Sequence, residues 1–201
     1  QAGCSGYFAE IPISALVETR RRKPLSQDRT ISQHLALLTD LLLGSTARAI
    51  EDLTSEELHF RAHPNTNSIG FEAWHIARTV DNLIHFAFER EQPVWLQQGL
   101  DKAWDLPRVD QGTGMDPEVA HEIHFPKAEA LAGYIRDVAV VIKPRIEAMD
   151  DGYLQALTTI RPQGELPRIH IIGQVIIAHG NNHLGQMNLA RTLQGKEGLG
   201  F

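Results

Sequence analysis

The chain has a single cysteine, Cys4, in 201 residues. An intrachain disulfide framework and a cysteine-based zinc knuckle are therefore excluded, and the composition suits a reducing compartment. No uninterrupted apolar run approaches the roughly 18 to 20 residues that a membrane-spanning helix needs. An excess of positive charge is missing too: 19 Lys and Arg against 25 Asp and Glu leave a formal charge of −6. That balance disfavours a general electrostatic grip on nucleic acid or anionic lipid. There is no internal repeat and no convincing two-residue alternation of apolar and polar side chains, so strands are not expected. These absences together predict a cytoplasmic protein that acts on a small molecule, with neither nucleic acid nor membrane as partner.

What is present is enough apolar material, 42% of the residues, for one domain with a sizeable core. Histidine is the unusual component, with ten residues. Residues 1–28 have mixed polarity, the basic run Arg20-Arg21-Arg22-Lys23 and then Pro24. They read as an N-terminal arm outside the core, with the basic run solvated. Gln1-Ala2-Gly3-Cys4 faintly resembles the cleavage box of bacterial lipoproteins, but with no apolar stretch before it the segment is expected to be a terminal scar. Residues 29–201 form the expected domain.

Within it, Leu35, Leu38, Leu42, Leu43, Ala47 and Ile50 recur at helical steps and predict a first helix from Ile31. Thr54 followed by Glu57 is a capping-box pattern ahead of a short turn over Glu56 to Phe60. Ser68 is a natural N-cap for a long apolar helix from Ile69 to about Glu89. A long irregular excursion between Gln92 and Phe125 follows, of the kind that commonly borders a site. Pro126 is expected at the first position of a third helix running toward Met149, with Pro144 kinking it or marking its last turn. A fourth helix should run from near Pro167 to about Leu193, closed by Gly195. The expected fold class is an all-α four-helix bundle with a long crossover between helices two and three.

The fourth helix carries His179-Gly180-Asn181-Asn182-His183, whose i, i+4 spacing puts two imidazoles on one helix face. The stripe Ile172, Val175, Ile176, Gln186, Met187 and Ala190 runs through them, so both rings are expected to point into the bundle. A turn of Gly, two Asn and two His costs a helix about 3 kcal/mol relative to alanine. A metal ion shared by the two rings is expected to offset that cost. Gly180 stands where a zinc protease would carry its general-base Glu, which disfavours that chemistry. The third ligand is assigned to His75, at the centre of the apolar second helix. Its rival is His85, ten residues on and about 80° round the helix.

Ser68-Ile69-Gly70-Phe71 leading into Trp74-His75-Ile76-Ala77-Arg78, together with His179-x-x-x-His183-x-x-Gln186, resembles the DinB-like superfamily of metal-binding four-helix bundles over about residues 30–195. The resemblance implies a bundle that is often a homodimer, with a divalent ion on residues matching His75, His179 and His183. Members with known activities include thiol-dependent S-transferases and a mycothiol-dependent isomerase.

Three imidazoles leave open coordination positions, which is the arrangement of a catalytic site. Zinc and nickel both suit nitrogen ligands, and a low-molecular-weight thiol docking on the ion would lose its proton. The expected function is thus a metal-dependent, thiol-dependent S-transferase or isomerase. A hydrolase using metal-bound hydroxide and a non-catalytic metal- or ligand-binding bundle are the alternatives. Gln186 is the candidate to hydrogen-bond a ligand histidine or bound water; Glu72 and Asp81 are carboxylates that could stand behind the ligands, but solvation is the favoured reading of each. His121 and His124 read as surface residues of the long connection. His34, His59, His63 and His170 read as structural, and Trp74 and Trp95 as packing anchors.

Overall fold

The structure is a computed structural model that describes residues 29–200. The expected arm and its basic run lie outside those residues.

Helix α1 (Ile31–Arg48) starts at a full capping box, Thr30 accepting from the Gln33 amide while the Gln33 side chain accepts from the Thr30 amide. The expected box at Thr54 and Glu57 opens α2 (Ser55–Leu58). Ser68 caps α3 (Ile69–Asp81), every residue of which is buried, and a π-helical stretch over Asn82–Phe88 continues it. The crossover is more ordered than expected, since it contains α4 (Val94–Gln97), α5 (Leu100–Ala103) and α6 (Pro117–His121). Helix α7 (Ala128–Glu147) contains Pro144 in its last turns, and α8 (Asp151–Gln155) follows. The fourth long helix comprises α9 (Arg168–His170), a π-helical stretch over Ile171–Ala178 and α10 (His179–Leu193).

Helix α1 packs along α7, α7 along α3, α3 along α10 and α10 back on α1, closing a four-helix bundle. Trp74 and Trp95 are completely buried, as expected of packing anchors, and meet edge to face with centroids 6.3 Å apart. Asp81 is also fully buried, which overturns its expected solvation. Its carboxylate accepts from the Val94 amide at 2.9 Å, the Trp95 amide at 3.0 Å, Tyr134 Oη at 2.9 Å and His85 Nδ1 at 2.8 Å. It thus caps α4 from a neighbouring helix and fastens the start of the crossover to α3. Burial, and the proximity of the Asp81 charge, hold the Tyr134 hydroxyl well above its ordinary pKa.

Two expectations need correction. Antiparallel strands β1 (Leu157–Ile160) and β2 (Gly164–Pro167) form a hairpin, Leu157 opposite Pro167 and Ile160 opposite Gly164. Its alternation of exposed and buried residues spans only the four residues of β1, too few to stand out in the sequence. The third long helix starts at Ala128, two residues after Pro126. Phe125 is buried against Gly70, where a Cβ would lie 2.8 Å from its ring, and its amide is bonded to His59 Nε2 at 2.9 Å. These anchors keep the chain extended up to the N-cap, Lys127. Among the described residues no helix is long and apolar enough to cross a membrane.

Candidate metal centre

His75 lies midway along α3 and is 4% exposed. Its Nδ1 donates to the Gln111 carbonyl at 2.5 Å, which leaves Nε2 as a lone pair facing the bundle. That carbonyl belongs to the crossover, and two features bring it so close. Gly112 has φ +92°, and a Cβ on it would lie 2.7 Å from Phe71 Cζ and 3.3 Å from His75 Nδ1. A side chain there would both strain the backbone and push the loop off the ring. Beneath the loop, the fully buried Arg78 places Nη2 3.4 Å from each of the carbonyls of Arg108, Val109 and Asp110. Asn82 adds a bond to the Gln111 side chain at 2.8 Å. The crossover borders the site as expected, and it does so through backbone.

From the opposite helix His179 and His183 approach with their Nε2 atoms 2.9 Å apart. Centroids of the His75 ring lie 5.2 Å from that of His179 and 4.8 Å from that of His183. Nδ1 of His183 meets Oε2 of Glu72, whose Oε1 accepts from Asn67 Nδ2 at 3.0 Å. The Gln111 carbonyl fixes the tautomer of His75 and turns its other nitrogen toward the common centre, and the Glu72 carboxylate lies against Nδ1 of His183.

One ligand nitrogen from each ring lies within 4.8 Å of the others, and among the described residues these three form the candidate metal group. Nitrogens sharing a zinc ion tetrahedrally sit about 3.3 Å apart, a value between the closest pair and the outer limit found here. Burial, followed by the nearby His183 and His179, lowers the His75 pKa to about 4. Burial and then His183 lower that of His179. Both are held neutral, the form that ligates metal. Converging lone pairs repel one another unless a cation sits among them, so the donor set fits a divalent ion.

The pairing of His75 with His179 and His183 is as expected, and so is the burial of Ile172, Ile176, Met187 and Ala190, but the places of Gln186 and Glu72 are not. The buried stripe runs through Ile172, Ile176, Gly180, Leu184, Met187 and Arg191, and both helix-four histidines are half-buried at its edge. The π-helical stretch before His179 has a longer turn than an α-helix, so it rotates the face that an unbroken 3.6-residue period predicts. Gln186 is consequently exposed, and the partner of His183 is Glu72, buried at 4% where solvation was expected. The unfavourable turn also has a different explanation. A Cβ at Gly180 would lie 2.5 Å from Leu42 Cδ2, so this glycine lets α1 and α10 pack closely.

His85 is buried in the Asp81 network and lies outside the three-histidine group. His124 is exposed and stacks on His59 with centroids 5.2 Å apart, and His121 likewise stays outside the group. His170 was expected to be structural, yet it lines a cavity of about 250 Å³ that also includes His179, Gln111 and Thr113. Sequence reasoning missed Gln111, because a backbone carbonyl leaves no residue signature. Gly112, in a loop flagged as site-bordering, was the available clue.

A family model described as the DinB superfamily matches residues 38–187. A solved structure described as the conserved protein of locus from Enterococcus faecalis aligns with 84% of this chain and 100% of its own, at TM-score 0.72 and 21% identity. That likeness concerns the fold. No curated protein matches.

Proposed function

The chain belongs to the DinB superfamily, and from that footing we propose that it is a divalent-metal-dependent enzyme of small-molecule chemistry, a thiol-dependent S-transferase or isomerase, whose ion is held by His75, His179 and His183. The observation that carries the proposal is the convergence of three ring nitrogens from two helices, with the Gln111 carbonyl behind His75 and the Glu72 carboxylate against His183. Zinc and nickel are the metals that suit such donors best. A divalent ion bound there would supply Lewis acidity that favours loss of the proton from a thiol.

The chain's own residues do the rest. Glu72 stands against Nδ1 of His183 and would hold its ring, as carboxylates behind ligand histidines do. The Gln111 carbonyl does the same for His75. His179 forms part of the wall of the 250 Å³ cavity, so one side of the cluster faces space large enough for a small substrate. In a transfer reaction the thiol gives up its proton, its sulfur bonds to an electrophilic carbon, and the leaving group departs with the electron pair of its broken bond. Helix α3, buried along its whole length, limits access of water from the opposite side.

Elemental analysis of protein purified without a histidine tag, compared with His179→Ala and His183→Ala, tests the ion. Wild type should retain zinc or nickel through dialysis and the variants should lose it; equal metal content in all three rules the site out. A panel of small thiols and electrophiles then tests the chemistry. Turnover should require thiol and cease with chelator, and turnover indifferent to chelator overthrows the assignment.

A further inference from the structure

The cavity beside His179 has a chemical bias. Arg161 and Gln163, on the turn between β1 and β2, line it together with Gln174 and His170, with Gln111 and Thr113 of the crossover, and with His179 of the histidine cluster. None of the lining residues is acidic, in a chain whose net charge is −6. Arg161 has no carboxylate partner among the described residues, and nor has Arg90, with which it lines the adjoining depression, whereas Arg136, Arg145, Arg108 and Arg191 are each paired with one. The adjoining depression, of about 200 Å³, is lined by Arg161 and Arg90 and again contains no acid. An arginine left free over a polar, acid-free cavity is suited to bidentate recognition of a planar anion. The amide groups of Gln111, Gln163 and Gln174 can add neutral hydrogen bonds around it.

We infer that this cavity selects a carboxylate-bearing substrate, its carboxylate on Arg161 and its reacting end toward His179. The inference rests on the metal-site reading above and adds the substrate class. The hairpin absent from the sequence-based expectation thereby acquires a role, because its turn supplies the selecting residue to the wall of the cavity that His179 also lines. Charge complementarity of this kind contributes to orientation as well as affinity.

The test uses the full chain loaded with zinc, titrated calorimetrically with 3-mercaptopropionate and with its neutral amide, 3-mercaptopropionamide. Wild type should bind the acid about tenfold more tightly than the amide, the effect of one charge-assisted contact at a partly exposed site. Arg161→Gln should bind both equally, and Arg161→Lys should keep part of the preference. Arg161 is exposed, so unchanged thermal melting of both variants is expected and confirms that the comparison concerns binding. Equal binding of acid and amide by wild type, or binding of neither, overturns the inference. Competition by inorganic phosphate as strong as that by propionate also overturns it, because the site would then take anions generally. Cobalt-loaded protein separates this inference from the proposed function. Absence of a sulfur-to-cobalt charge-transfer band, with the acid-over-amide preference intact, sinks the thiol chemistry and leaves the carboxylate site standing. A band with no preference does the reverse.

Discussion

Replacing Gly112 with alanine tests the link between the crossover and the metal centre most directly. At φ +92° an L-residue is strained by about 1–2 kcal/mol. The new methyl would lie 2.7 Å from Phe71 and 3.3 Å from both His75 and Trp74, all three buried side chains with little room to yield. Overpacking of that kind costs roughly 1–3 kcal/mol. The loop can escape the clash only by rising, which breaks the 2.5 Å bond from His75 Nδ1 to the Gln111 carbonyl and leaves a buried donor unmet at about 1–3 kcal/mol. By either route Gly112→Ala should lose about 2–5 kcal/mol of stability, roughly 4–20 °C in Tm for a chain of this size. Freed from its acceptor, His75 should also bind zinc more weakly, by about 10–100-fold in a competition assay with a chromophoric chelator. Gly114 is the control. It has φ +68°, but nothing lies within 4 Å of its Cβ position, so Gly114→Ala should cost only about 1 kcal/mol and leave zinc affinity unchanged. If the two variants match in both melting and zinc affinity, the close approach at Gly112 does not hold the ligand. If Gly112→Ala is destabilised with zinc affinity intact, the Gln111 carbonyl is not what orients His75.

A second glycine pair lies on α10. Gly185 has nothing within 4 Å of its Cβ position, whereas Gly180 would meet Leu42 at 2.5 Å; Gly185→Ala should therefore stabilise by up to about 1 kcal/mol in chemical denaturation while Gly180→Ala should fail to gain it. The pH dependence of the metal-free protein follows from His75, whose pKa falls from 6.5 in the unfolded chain to about 4 when burial disfavours its charge. Between those values the unfolded chain binds the extra proton, so stability should drop by about 3 kcal/mol as pH falls from roughly 6.5 to 4, and His75→Gln should flatten that slope in urea melts. Removing the charge behind His183 with Glu72→Gln should weaken zinc binding about tenfold or more; unchanged affinity would mean that the contact is incidental.

Much of the bundle was legible because its signals are local. Ser68, Thr54 and Glu57 announce helix starts through bonds between residues three apart, and the apolar spacing in α1 and α7 repeats with the helix itself. The histidine trio was legible for a related reason: His179 and His183 share a helix turn, and His75 sits in a helix with enough apolar residues to announce that it is buried. Misreadings arose where the local period failed. The π-helical stretch ahead of His179 turned Gln186 outward and gave its expected place to Glu72, and four residues of alternation were too short to reveal β1.

The order and caps of the helices, the spacing of the paired histidines and the absence of a zinc-protease glutamate follow from sequence alone, since each depends on residues within a turn or two of one another. Tertiary structure decided what stands behind each ring. The Gln111 carbonyl comes from a loop 36 residues beyond His75, Glu72 reaches His183 from another helix, and Arg161 reaches the cavity from a hairpin turn. Such contacts depend on how separately encoded elements pack, and packing is set by shape and burial summed over the whole core rather than by any spacing along the chain.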